Sequence, residues 1–159
     1  MRVESRKFNT VLELDESDVI HFPHGLIGFA EETKFVLLER DNSPRIAWLQ
    51  SVDNPELALP VVSCHELAEP IPDNAVEEAV VDDDDIDQNE DTAVMVVLTC
   101  QSGMVPTVNM MAPLVVDSRS RTGKQVLLRD RRFATREPLS LKPLNDEPAD
   151  MYMQEASSQ

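Results

Sequence analysis

The spacing of apolar and polar positions divides the chain into a succession of short strands. Residues 2–14 hold two partly alternating runs, VESRKF and TVLEL, and residues 18–22 (DVIHF) alternate, with Val19 and His21 on one face. HFPHGLIGF interrupts the pattern, its Pro23, Gly25 and Gly28 marking a turn-rich loop. Residues 34–40 (KFVLLER), 46–50 (IAWLQ) and 57–63 (LALPVVS) are three more β-type runs, separated by Asn42-Ser43-Pro44 and Asp53-Asn54-Pro55. Residues 92–100 (TAVMVVLTC) form the most apolar run, and their length and β-branching predict a strand buried on both faces. Residues 107–117 and 125–129 complete the set.

Roughly eight or nine strands at a spacing of about ten residues predict a mostly β, single-domain antiparallel barrel or sandwich-like fold. One short helix is expected over residues 73–81 (DNAVEEAVV), capped by Asp73 or Asn74, with Glu77 and Glu78 in its first turns. The run DDDDIDQNED at residues 82–91 reads as an exposed, self-repelling loop. Beyond residue 136 the periodicity lapses and Pro138, Pro143 and Pro148 accumulate. The expected domain therefore spans residues 1–136, with residues 137–159 as a disordered tail.

Charge narrows what such a domain can do. The chain has 159 residues, enough for one domain, and carries a formal net charge of −16, which argues against a main business of holding nucleic acid or an anionic membrane. The charge is uneven: residues 1–118 hold 6 Lys and Arg against 24 Asp and Glu, residues 119–159 hold 8 against 6. An acidic body thus carries one basic segment near its end. Only 4% of residues are aromatic, so the core has to be aliphatic. Cys64 and Cys100 do not make a disulfide framework, and both are compatible with burial as apolar residues. The opening MRVESRKFNT lacks the apolar stretch of a signal peptide, and no run approaches a membrane span, so a cytoplasmic protein is expected.

Several stretches imitate catalytic or binding motifs. Gly123-Lys124 resembles the end of a phosphate-binding loop, but Ser118 stands where its first glycine belongs and Gln125 where its hydroxyl belongs. The following QVLLR is β-type, so no helix N-terminus is available to hold phosphate. The expected structure is a hairpin with Gly123 at its tip in a positive-φ conformation. Asp83, Asp85 and Asp87 match the first ligands of a calcium loop, yet Gln88 replaces its glycine and Val94 its bidentate Glu. His21, His24, Cys64 and His65 have no zinc spacing, and Cys64 and His65, as strand neighbours, point to opposite faces. No catalytic residues, metal or cofactor are expected. Met110 and Met111 should straddle a strand, one filling core and one facing outward, beside a Pro113 confined to an edge or bulge.

The basic segment offers Arg119, Arg121, Lys124, Arg129, Arg131, Arg132 and Arg136, with Phe133 the one aromatic among them for stacking bases. Internal charge balance or a protein partner fits this better than RNA. A small RNA-binding barrel using residues 119–136 stands as the alternative.

In order along the chain, I-x-F-x-x-G-L-x-G-F (residues 20–29), FVLL (35–38), WLQSVDNP (48–55), LALPVV (57–62), MVVLT (95–99), VNMMAPLVVD (108–117) and GKQVLL (123–128) together resemble the FliW family of bacterial flagellar assembly factors. The resemblance covers about residues 3–136. It implies a barrel-like, mostly β domain without enzymatic activity that acts by binding. Its partners would be newly made flagellin and, alternatively, CsrA, a small basic RNA-binding translational repressor. Holding CsrA relieves repression of flagellin mRNA translation; no direct nucleic-acid, membrane or small-molecule contact is implied. The segment SCHELAEPIPDN departs from the family, which usually carries an aromatic-rich segment there. The expected partner contacts are Gln50, Ser51, Asp53 and Pro55 in one loop, and Asn109, Ala112 and Pro113 in another. The acidic surface should act on association rate more than on affinity.

Overall fold

The computed structural model describes residues 1–40, 43–81, 83, 86 and 91–143. The apolar doublets in the strands dictate its architecture. Successive strand residues point to opposite faces, so Phe35-Val36, Val61-Val62, Met95-Val96 and Val115-Val116 each need burial on two sides at once. The strands that carry them are β4 (Lys34–Arg40), β6 (Ala58–Ser63), β7 (Thr92–Thr99) and β9 (Leu114–Asp117). With β3 (Val19–His21), β5 (Ser43–Ser51) and β10 (Thr122–Gln125) they close into a seven-stranded barrel, in the order β7-β6-β5-β4-β3-β10-β9 and back to β7. One member of each doublet enters the lumen, where Phe35, Val61, Met95 and Val116 pack with Ile20, Phe22, Leu49 and Leu114. The other member faces outward.

Two covers bury that outer wall. The hairpin of β1 (Arg2–Ser5) and β2 (Thr10–Glu13) lays Val3 over Val19 and Val36. On the other side α1 (Asp73–Val80) brings Ala75, Val76 and Val80 onto Val62, Val96, Leu98 and Val115. Each valine so covered contributes about 1.5–3 kcal/mol relative to exposure, which is why the covers belong to the fold and are not decoration on it.

The fold class is the expected one, with local differences. All barrel pairs are antiparallel except β3–β10, which run parallel and meet at Thr122 and His21; the His21 N–H donates to the Arg121 carbonyl at 2.8 Å. In β3 both Val19 and Ile20 are buried and His21 is exposed, because this strand too is covered on both faces. The helix begins one residue earlier than a side-chain cap at Asp73 would place it. Pro72 occupies the cap position, without a side-chain hydrogen bond, and Asp73 supplies the acidic charge of the first turn. The expected run 107–117 is split into β8 (Thr107–Val108) and β9 by an excursion over residues 109–113.

The first residues of the expected tail are not a tail. Residues 137–143 belong to the body: β11 (Glu137–Pro138) pairs with β8, the Leu139 N–H donates to the Pro106 carbonyl at 2.9 Å, and the Lys142 N–H donates to the Glu66 carbonyl at 2.8 Å. Leu139 and Leu141 supply the reason, since both pack on the outer core. Pro138 is tolerated because β11 is an edge. The remainder of the expected tail, residues 144–159, lies outside the described residues.

The hairpin expected at residues 118–129 is present, but Gly123 is not its tip. The turn is Ser118–Arg121 and Arg121 adopts the positive φ, +57°, while Gly123 sits within β10 opposite Val116. The glycine is required for a different reason: a Cβ there would lie 2.6 Å from Cε1 of Phe22, whose ring stacks edge-on against Phe35 at 5.6 Å. Replacing Gly123 by Ala should therefore destabilise the barrel by about 1–3 kcal/mol, the usual cost of overpacking, read as a lower midpoint in urea. An unchanged midpoint would mean that Phe22 yields without cost.

Candidate partner-binding surface

Antiparallel pairing of β3–β4, β4–β5, β5–β6 and β6–β7 sends the connections at residues 22–33, 52–57 and 100–106 to one end of the barrel. The excursion at 109–113 and residues 125–128 reach the same end, because Gln125 pairs with Leu114 and the Val126 N–H donates to the Pro113 carbonyl at 3.0 Å. All seven residues expected to contact a partner therefore gather there, at different depths.

Gln50 and Ser51 are fully buried. The Gln50 Nε2 donates to the carbonyls of Ser51 (3.1 Å), Asn54 (3.2 Å) and Pro55 (3.4 Å), gathering the loop around one amide. Ser51 Oγ accepts the Asn54 N–H at 3.0 Å and donates to Glu32 Oε2 at 2.8 Å. Asn54 Nδ2 donates to the other oxygen of Glu32 at 3.3 Å. Glu32 thus stitches two loops together. Asp53 is exposed and Pro55 is half-buried, its carbonyl accepting the Arg6 N–H at 2.9 Å. Of these four, Asp53 is the one presented to solvent; Gln50 and Ser51 hold it in place.

Asn109, Ala112 and Pro113 build a bulge. Thr99 faces Thr107 and Leu98 faces Val108; in that register Met95 would face Met111, but it faces Leu114, so three residues are extra. Asn109 Oδ1 accepts the N–H groups of Met111 and Ala112, both at 3.1 Å, and holds the excursion in shape. Ala112 and Pro113 are buried, Met110 is buried and Met111 half-buried, so the bulge shapes the rim more than it faces out. Pro113 sits at a bulge, where a missing donor is harmless.

The sequence reading passed over Gln125, Ile27 and Phe29. Gln125 Oε1 accepts the Ile27 N–H at 2.7 Å while its Nε2 donates to the Ala112 carbonyl at 3.0 Å, so one side chain ties the bulge to the HGLIGF loop. In that loop Gly25 has φ +66°, and a Cβ would lie 2.5 Å from the carbonyl oxygens of Phe29 and Ala30. Leu26 plugs the lumen, leaving Ile27 61% and Phe29 39% exposed. The signal available was an isoleucine and a phenylalanine flanking a glycine inside a turn-rich loop.

The basic segment is largely occupied with the chain's own charges. Arg119 pairs with Asp91, Lys124 Nζ lies 2.6 Å from Asp83 Oδ2, and Arg121 donates to the Asp18 carbonyl at 2.8 Å. Arg132 pairs with Asp130 at 2.6 Å; its guanidinium hydrogen bonds hold the Asp130 carboxyl below the usual range, and that carboxylate pushes Arg132 up. A groove of about 570 Å³ runs between residues 67–72 and the C-terminal arm, over Val108, Met110 and Phe133. Phe133 is packed against the outer core, so it is no free stacking platform.

Among the described residues no three His, Cys, Asp or Glu are grouped to hold a metal ion, and no helix is long and apolar enough to cross a membrane. Asp85, Asp87 and Gln88 of the calcium-like run lie outside the described residues. Cys64 is buried, its Sγ accepting the Ile71 N–H at 3.2 Å, whereas Cys100 is exposed. Cys64 and His65 are not strand neighbours as expected but lie in a single 3-10 turn, Cys64–Glu66, with Cys64 buried and His65 exposed.

Closed barrel, double cover and a rim of cross-stitched loops together define a small, covered seven-stranded β-barrel. A sequence model described as FliW protein matches residues 2–139, and the chain belongs to the FliW family. It is 34% identical over 148 residues to the flagellar assembly factor FliW of Bdellovibrio bacteriovorus, covering 89% of this chain and 81% of that one. With its counterpart from Geobacillus kaustophilus it shares 34% identity over 139 residues, 84% of this chain and 92% of the other. A crystal structure of the flagellar assembly factor FliW superposes with a TM-score of 0.68 at 29% identity, over 91% of this chain and all of that chain.

Two outcomes follow from this geometry. Asn109→Ala leaves two backbone donors of a half-buried turn without their acceptor and should cost about 1–3 kcal/mol in urea unfolding. Burial raises the Cys64 thiol, so the folded state keeps its proton when an unfolded thiol, near pH 8.5, has lost it. That stabilisation is complete below about pH 8.5 and is lost as pH rises above it. Cys64→Ala should flatten the fall in unfolding midpoint between about pH 8 and 10; equal slopes would remove Cys64 from the account.

Proposed function

We propose that this protein is a cytoplasmic regulator of flagellum assembly that works by binding other proteins. It holds newly made flagellin and, alternatively, sequesters the basic repressor CsrA, which frees flagellin mRNA for translation. It uses no cofactor and no small-molecule substrate, performs no catalysis, and touches neither RNA nor membrane directly. The observation that carries this reading is the rim at one barrel end, where apolar side chains and carboxylates are presented on loops fixed by Gln50, Glu32, Asn109 and Gln125. Membership of a family whose relatives are flagellar assembly factors supports it, as does a net charge of −16, which attracts a basic protein and repels RNA.

The competing RNA-binding barrel finds little support. Arg119, Lys124 and Arg132 are already paired with carboxylates of the same chain. Purified protein titrated separately with flagellin, CsrA and a generic RNA distinguishes the readings. Saturable complexes with both proteins and no RNA binding are expected. Micromolar RNA binding with a steep salt slope, and no complex with either protein, would establish the alternative.

A further inference from the structure

We propose that the groove between residues 67–72 and the C-terminal arm is the docking site for the chain's own residues 150–155. Tyr152 seats over Val108, Met110 and Phe133, while Asp150 and Glu155 meet Arg131 and Arg136. This is independent of the function proposed above.

The groove is a fork. The arm joins the other wall at one end, where the Ala68 N–H donates to the Ser140 carbonyl and the Lys142 N–H to the Glu66 carbonyl, both at 2.8 Å. Beyond that junction residues 68–72 stand on one side and 132–138 on the other, around a gap of about 570 Å³. Val108 and Met110 are buried beneath it, and Phe133, half-buried against the outer core, still lines it. Pro70, Pro72 and Pro138 on the walls lack an N–H, so an occupant is held by side chains and not zipped in as a further strand. An aromatic ring suits this floor, because it buries a large apolar area and packs well on an aromatic ring and a thioether.

The chain supplies such a ring nearby. The last described residue is Pro143, one past the Lys142 bond, so the sequence that follows starts from the junction of the fork. Tyr152 is the chain's only tyrosine and stands between Met151 and Met153. From Pro143 to Tyr152 the extended reach is about 30 Å, against about 17 Å for the wall of residues 68–72. A segment tethered within reach of its site meets it at about millimolar effective concentration, so weak contacts suffice.

Charge favours the same placement. Residues 144–159 hold Asp146, Glu147, Asp150 and Glu155 and no Lys or Arg. Residues 1–118, with 6 Lys and Arg against 24 Asp and Glu, repel such a segment. Residues 129–143 are the exception, holding Arg129, Arg131, Arg132, Arg136 and Lys142 against Asp130 and Glu137. Arg131 and Arg136 are exposed on either side of Phe133. Arg132 lines the groove and is paired with Asp130; Glu69 and Glu137 are the carboxylates that line it.

Fluorine NMR of the full chain labelled with fluorotyrosine reads the docking directly, since its one resonance comes from Tyr152. That resonance should lie away from its position in a synthetic peptide of residues 144–159. Ser140→Trp, which fills the groove from an exposed site and keeps the Ser140 backbone bond, should return it to the peptide position. Arg131→Glu with Arg136→Glu, both exposed and safe for folding, should move it the same way, as should added salt. Separately, Tyr152→Ala should speed trypsin cleavage after Arg131 and Arg132 about threefold or more, because cleavage follows the population of the open groove. A resonance at the peptide position in the unmodified chain overturns the proposal. So does a displaced resonance that neither Ser140→Trp nor the double charge reversal moves, or cleavage unchanged in Tyr152→Ala. A displacement that disappears on dilution gives the groove to a second copy and overturns its assignment to the same chain.

Discussion

Everything in this fold follows from strands that are apolar on both faces. A barrel solves only half of that problem: closing β7 onto β9 removes the sheet edges and fills the lumen, yet it leaves Val36, Val62, Val96 and Val115 pointing at water. The chain answers with material from both of its ends and from its longest connection. The β1–β2 hairpin is fastened over the wall by Phe8, edge-on to Trp48 at 5.4 Å, with Lys7 over the indole and Arg40 over the Phe8 ring. On the opposite side Arg45, nearly buried, bonds Glu66 at 2.7 Å and so ties β5 to the segment leading into α1. An exposed pair of this kind contributes about 0–1 kcal/mol. This one matters because a buried guanidinium without its carboxylate would be costly.

Closure also explains the rim. β3 and β10 run parallel and touch at one residue pair, which is possible because Gly123 lets the Phe22 ring lie against the β10 backbone. On the other side of β9, the three extra residues at 109–113 let one chain segment follow the edge of β7 with a change of register. The excess backbone is pushed to the barrel end, where Asn109 and Gln125 satisfy its polar groups. The loops at this end are therefore consequences of closing the barrel, and they are cross-linked for the same reason.

The strands were legible because a residue pattern of period two, broken by Asn, Asp, Pro and Gly, is a local signal: β4 and β7 fall where the alternation and apolar content place them. Exposure was not legible. Gln50 and Ser51 look like polar loop residues, yet their partners, Glu32 and the carbonyls of Asn54 and Pro55, are supplied by how two loops meet. Gly123 carries the same lesson: a glycine after Ser-Arg-Thr reads as a turn, and the ring that actually demands it lies a hundred residues earlier. Leu139 and Leu141 were hidden among prolines, because the surface they cover is built by distant strands. Contacts between segments far apart in sequence decide these cases, and no local period reports them.

Charge completes the picture. The basic segment looked anomalous on an acidic chain, but its two best-placed cations meet Asp83 and Asp91, near the two ends of the acidic run. Lys124 and Asp83 are both substantially shielded, so screening by salt weakens them less than an open surface pair. The β9–β10 hairpin thereby ties Asp83 and Asp91 to the body, and Ile86 between them is buried in the outer core, unlike the wholly exposed loop expected. Arg119 and Lys124 are neutralised in doing so. What the chain leaves uncompensated is negative charge, a formal net of −16.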